Sequence, residues 1–175
     1  SVLTHGPRQA HVWLIFDVGQ NMKLFWLIPF LVLFSIGCSD RTSADKRTRM
    51  LEQLGELWSS YFRSASLTER LASLDKIETY AGDIARVLGT TDPAVLHQRF
   101  LVEATRAECL EAEGRHDEAL VYARRALEPW ILLDAQARRQ FTGANDGDVL
   151  KAVLARVRPM NEFAAEIVKS QGDGE

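Results

Sequence analysis

Cysteine, proline and surplus charge are all scarce in this chain, and each scarcity removes a class of protein. Two cysteines in 175 residues are too few for a disulfide framework or a structural zinc site. With 21 Lys and Arg against 24 Asp and Glu, there is no basic surplus of the kind that marks a nucleic-acid binder. No segment alternates apolar and polar residues for long, so strands are not expected. Gly-x-Ser-x-Gly, a glycine-rich phosphate loop and a Cys/His nucleophile pair are all missing, so no enzyme, cofactor or small-molecule substrate is expected. What is present is the composition of a globular domain, 46% apolar and 26% charged, with the apolar residues unevenly spread.

Leu24 to Phe34 (LFWLIPFLVLF) is an unbroken apolar run after Met22-Lys23, and it leads into Ser35-Ile36-Gly37-Cys38. It falls short of the roughly 20 apolar residues of a spanning helix. A positive start, a short apolar core and a small residue before a cleavage point describe a secretory signal. Ser35-Ile36-Gly37-Cys38 resembles the lipobox of bacterial lipoproteins, in which the thiol is acylated and the chain is cut just before it. The resemblance implies cleavage after Gly37, lipidation of Cys38 and contact with a lipid bilayer. A short, uncleaved anchor with an incidental Cys38 is the alternative. Residues 1–21 precede the first methionine, Met22, and are read as an upstream extension assigned in error. Cleavage would remove Arg8, Asp17 and Lys23 and make the net charge one unit more negative.

Residues 38–49 have no large apolar side chain and read as a flexible tether. In enterobacterial lipoproteins an aspartate directly after the cysteine marks inner-membrane retention. Ser39 stands there instead, so the resemblance implies the outer membrane, on its periplasmic side.

Residues 50–170 read as an all-α domain. Met50, Leu51, Leu54, Leu57, Trp58, Tyr61, Phe62 and Ala65 recur at helical spacing and predict a first helix over 45–64. Ser66-Leu67-Thr68-Glu69 has the form of a capping box. It opens a second helix striped by Leu67, Leu71, Leu74, Ile77, Ala81, Ile84 and Leu88, with Gly89 closing it in a left-handed conformation. Asp92 and Pro93 start a third helix that carries Leu96, Phe100, Leu101, Ala104, Ala107 and Leu110 and stops at Gly114. A fourth, over 117–128, buries Ala119, Leu120, Ala123, Ala126 and Leu127. Pro129 is expected to begin a fifth helix through Trp130, Leu133 and Ala137, ending near Gly143. Val149, Leu150, Val153, Leu154 and Val157 mark a sixth that Pro159 kinks or breaks. Phe163, Ala164, Ile167 and Val168 make the last, before a polar tail at 171–175.

Within this domain, Arg106 to Pro129 (RAECLEAEGRHDEALVYARRALEP) resembles most of a tetratricopeptide repeat. Ala107 lies on the first helix of the pair, Gly114 at the turn, and Ala119 and Ala126 on the second helix, small residues where two helices cross closely. Arg106-Ala107 replaces the family's Leu-Gly pair, Leu110 and Ala123 stand at its aromatic positions, and Pro129 comes about two residues early. No second copy lies about 34 residues away. The resemblance implies antiparallel helical hairpins, stacked or in an irregular bundle, and an exposed concave face that holds an unidentified envelope protein. Tetratricopeptide lipoproteins include assembly factors and adaptors in the cell envelope. An envelope lipoprotein with a structural or stress-related role and no groove is the competing reading.

Other residues carry less. His97 and His116 lack the spacing of metal ligands. His116, beside the turn, reads as a surface residue or cap. Cys109 reads as a small buried packing residue. Glu103, Glu108, Glu111 and Glu113 read as a solvated helix face. Arg124-Arg125, Arg138-Arg139, Arg156 and Arg158 are placed towards helix ends, where positive charge is favourable. Arg124 and Arg125 are the candidates for a partner surface. Asn145-Asp146-Gly147-Asp148 lacks the ligands of a calcium loop and reads as a turn with a cap.

Overall fold

A computed structural model describes the backbone of residues 41–172 and the side chains of 48–171. Gly37 and Cys38, the signal and the residues before it, and the tail beyond 172 lie outside the described residues. Six helices and no strand occur among those described. They are α1 (Arg41–Arg63), α2 (Leu67–Leu88), α3 (Pro93–Ala112), α4 (His116–Leu133), α5 (Ala135–Phe141) and α6 (Asp146–Gly172). None is long and apolar enough to cross a membrane. Because α1 already runs from Arg41, residues 41–49 are helical and do not form a flexible tether.

The helix ends follow local chemistry. Ser66 Oγ accepts from the Glu69 amide at 3.2 Å, and Glu69 Oε2 accepts in return from the Ser66 and Ala65 amides. Asp92 Oδ1 accepts from the Ala94 amide at 2.9 Å, with Pro93 in the first turn of α3. Gly89 has φ +96° but ψ 147°, an extended rather than left-handed-helical conformation that still only glycine adopts freely. Gly114, at φ +74°, closes α3 with two nested bonds: its own amide to Glu111 O at 3.0 Å and the Arg115 amide to Leu110 O at 2.9 Å. This pairing satisfies carbonyls that the helix end would leave bare.

Two prolines behave differently from the expectation. Pro129 lies inside α4 and Pro159 inside α6, so neither begins nor ends a helix. Each removes one helical hydrogen bond, but Pro129 is fully buried and the flanking turns are held by packing on both sides. The boundary expected at Pro129 falls at Asp134, whose carboxylate accepts from the Gln136 and Ala137 amides and opens α5. Arg124, Arg125, Arg156 and Arg158 are consequently within helices rather than near their ends.

α3 is the centre of the molecule, buried on almost every side: Val95, Leu96, Phe100, Leu101, Val102, Ala104, Ala107, Cys109 and Leu110 are all core residues. Its most extensive interface is with α4, where Ala107, Ala119, Ala123 and Ala126 are wholly buried and let the two backbones close up. α1 packs on α2 and α2 on α3, while α6 covers α3 and α4 and also reaches α1. Leu120 is partly buried and packs against the core, whereas Ala65 and Leu133 are exposed and lie off the packed faces expected of them.

Candidate functional site

Burial of α3 forces its polar residues into partnerships, and these form three clusters. The first lies between α2, α3 and α4. Arg106, almost wholly buried, donates from Nη2 to Asp75 Oδ1 at 2.7 Å and from Nη1 to Glu78 Oε2 at 3.0 Å. Its guanidinium also sits 5.1 Å from the centre of the Tyr122 ring, whose environment includes Arg125 at 5.0 Å. A planar, forked cation on an aromatic face is an arrangement that lysine cannot reproduce. Arg99 pairs with Glu128 at 3.6 Å in the same region.

Glu103, one turn before Arg106, has its Oε2 buried with no hydrogen-bond partner. Burial pushes its carboxyl above the usual carboxylate range and the Glu78 charge adds to this, while Arg106, Arg125 and Arg99 pull the other way. Glu103 is therefore not part of a solvated acidic face. The carboxylates of Asp75, Glu78 and Glu103 and the guanidinia of Arg99, Arg106 and Arg125 are thus gathered around one face of α3.

The second cluster lies between α1, α3 and α6. Asn161 Nδ2 donates to Thr105 Oγ1 at 3.2 Å and to Glu108 Oε2, and Arg158 stands 3.9 Å from Glu108. Burial raises the Glu108 carboxyl against the lowering effect of Asn161 and Arg158, so Glu108 too departs from a solvated face. Next to it, Tyr61 Oη and Cys109 Sγ share a hydrogen bond at 3.2 Å. Burial raises both groups above their ordinary ranges, which keeps the thiol protonated and unreactive.

The third cluster surrounds Trp130. Arg156 of α6 lies 4.9 Å from the Trp130 ring and 5.8 Å from that of Phe100, and Phe141 lies 5.3 Å from Trp130. The Trp130 indole N–H is buried without an acceptor. His97 lies close to Arg156, and burial together with that cation lowers its pKa to about 4. It is a neutral base at physiological pH.

The remaining expected residues are accounted for more simply. His116 is the exposed first residue of α4, with Nδ1 2.9 Å from Glu111 Oε2. Arg124 is tied to Asp146 and the Ala144 carbonyl. Asn145 caps α6 by accepting from the Asp148 amide at 2.9 Å. Among the described residues no group of three or more His, Cys, Asp or Glu side chains could hold a metal ion.

Sequence reasoning missed Thr105 and Asn161, and it placed Glu103 on a solvated face and Arg106 only at the opening of the repeat-like hairpin. Arg106 and Thr105 interrupt the apolar stripe of α3, and two polar residues between Ala104 and Ala107 were the available signal. No family model, curated protein or solved structure matches this chain.

Proposed function

We propose that the chain is a bacterial lipoprotein tethered through an acylated Cys38, whose helical domain serves as a protein-binding scaffold in the cell envelope. The observation that carries the reading is the order of parts along the sequence: Met22-Lys23, the apolar run Leu24 to Phe34, then Gly37 and Cys38. That is the order lipid modification requires, and Ser39 favours the outer membrane over the inner.

The scaffold half of the reading rests on the α3–α4 hairpin. Its tight Gly114 turn and its wholly buried Ala107, Ala119 and Ala126 support a likeness to a tetratricopeptide unit. Around the buried Arg106, the exposed Asp75, Glu78 and Arg125 are the charged groups that an envelope protein would meet in this reading. The intact mass of the chain recovered from a bacterium carrying the native signal tests the tether. A mature chain beginning at a lipid-bearing Cys38 supports it, and a chain that retains Met22 without lipid overturns it. Crosslinking in the envelope from positions around Tyr122 then tests for the partner, and wild-type yield from an Arg125 variant would count against that surface.

A second reading, an envelope lipoprotein without a peptide groove, is favoured by one specific observation. α6 lies over α3 and α4 and touches α1, so a face that an open stack would leave for a ligand is filled by the chain itself.

A further inference from the structure

Four helices meet at Trp130, and the cation they bring there is incompletely matched. Phe100 comes from α3, Trp130 from α4, Phe141 from α5 and Arg156 from α6. The Arg156 guanidinium lies over the Trp130 ring at 4.9 Å and over that of Phe100 at 5.8 Å. Contact with a ring engages the face of a guanidinium and leaves its N–H donors free. Among the described residues none of those donors has a carboxylate or a carbonyl oxygen within bonding distance. Arg99, Arg106, Arg124 and Arg158 also bridge helices, and each of them reaches a carboxylate.

Two further observations at the same junction point to a missing acceptor. Trp130 is only 9% exposed, and its indole N–H is buried without a hydrogen-bond partner. A buried donor left bare is rare and carries the full cost of its desolvation. Burial also lowers the pKa of the Arg156 guanidinium, opposed by the Asp134 charge. Asp134 Oδ1 is committed to the Gln136 and Ala137 amides. His97, near the same cation, is neutral and adds hydrogen-bonding capacity without charge. Arg156 is nonetheless exposed enough to be reached from solvent. The junction thus holds one positive charge and two unmatched donor groups.

We propose that this junction is a binding site for a carboxylate, which pairs with the Arg156 guanidinium over Trp130 and lies beside His97. A carboxylate is planar, accepts two parallel bonds from a guanidinium and carries the single negative charge that Arg156 matches. A doubly charged phosphate would place an unmatched charge near Asp134. The indole N–H is closed to solvent, so it gains its acceptor as Arg156, which lies on that ring, shifts to meet the ligand. The site depends on neither the Arg106 surface nor the tether, and stands or falls separately from both.

The test titrates the full, isotope-labelled chain with sodium acetate against sodium chloride of equal ionic strength, following the indole N–H signals by NMR. The Trp130 signal is identified by its loss in Trp130→Phe. Acetate should move it saturably, while the Trp58 signal, whose N–H already bonds to Gln98, stays in place. The pH at which His97 titrates should rise by roughly 1 as a negative charge joins its surroundings. Arg156→Gln should weaken acetate binding about tenfold, with Arg156→Lys between it and the wild type and Arg125→Gln unaffected. Where Arg156→Gln loses helicity, Arg156→Lys carries the comparison. Acetyl-dialanine and its amide then separate the sources. Tighter binding of the peptide acid than of acetate identifies a chain terminus, and equal binding a free acid; both support the site. Equal responses to acetate and chloride overturn it, as does undiminished acetate binding by Arg156→Gln. Binding of the amide, or tighter binding of inorganic phosphate than of acetate, overturns the assignment to a carboxylate.

Discussion

Arg106 shows how one buried cation organises a helix junction. It satisfies two carboxylates from α2 and an aromatic ring from α4 while belonging to α3. Arg106→Lys keeps the charge but loses the fork and the stacking, and should cost roughly 1–3 kcal/mol in urea unfolding. Glu103 presents the opposite balance. Its pKa is raised in the folded state, mainly by burial, so its stabilising protonated form is present at low pH and lost as pH rises through the folded value. Glu103→Gln should therefore melt higher than the wild type at pH 7, with the difference shrinking as the pH is lowered. His97 titrates in the reverse sense. A base lowered from 6.5 to about 4 favours the fold above pH 6.5, and that contribution falls away as the pH drops towards 4. Melting temperatures between pH 7 and 4 should decline less steeply in His97→Leu than in the wild type.

At the scale of the helix, Gly114 and the prolines carry the tests. A Cβ at Gly114 meets nothing within 4 Å, so Gly114→Ala probes conformation alone and should cost about 1–2 kcal/mol, the penalty of a left-handed residue with a side chain. An unchanged melt would overturn the turn. Pro159 is only partly buried in α6. Pro159→Ala restores the bond to the Ala155 carbonyl and should raise stability by on the order of 1 kcal/mol. Helix starts and stops at Ser66, Asp92 and Gly114 were legible because the chemistry of an end lies within a few residues of it. Pro129, and the break allowed for at Pro159, misled the reading because their cost is local while the packing that overrides it is not. Arg106 was illegible for the same reason: its partners lie 31 and 28 residues away on another helix, and no helical periodicity reports a contact of that separation.

At the scale of the whole molecule, α6 is the element that decides the shape. It lies across α3 and α4 and reaches α1, with Asn161 bonded to Thr105 and Glu108 over separations of 56 and 53 residues. Removing that link by Asn161→Leu leaves the wholly buried Thr105 hydroxyl without its partner, and a loss of about 1–3 kcal/mol is expected in thermal or urea unfolding. The reach of α6 also has a kinetic consequence. The α3–α4 hairpin closes through the three residues Glu113, Gly114 and Arg115 and can form early, since short loops cost little entropy to close. Contact between α6 and α1 must wait until nearly the entire domain has been made. A chain emerging from a ribosome or a translocation pore therefore holds its central hairpin while the apolar faces of α1 and α3 still lack their last cover. Its final step is the docking of a helix, a late event in which a chaperone or a premature partner would find the surface that the finished molecule hides.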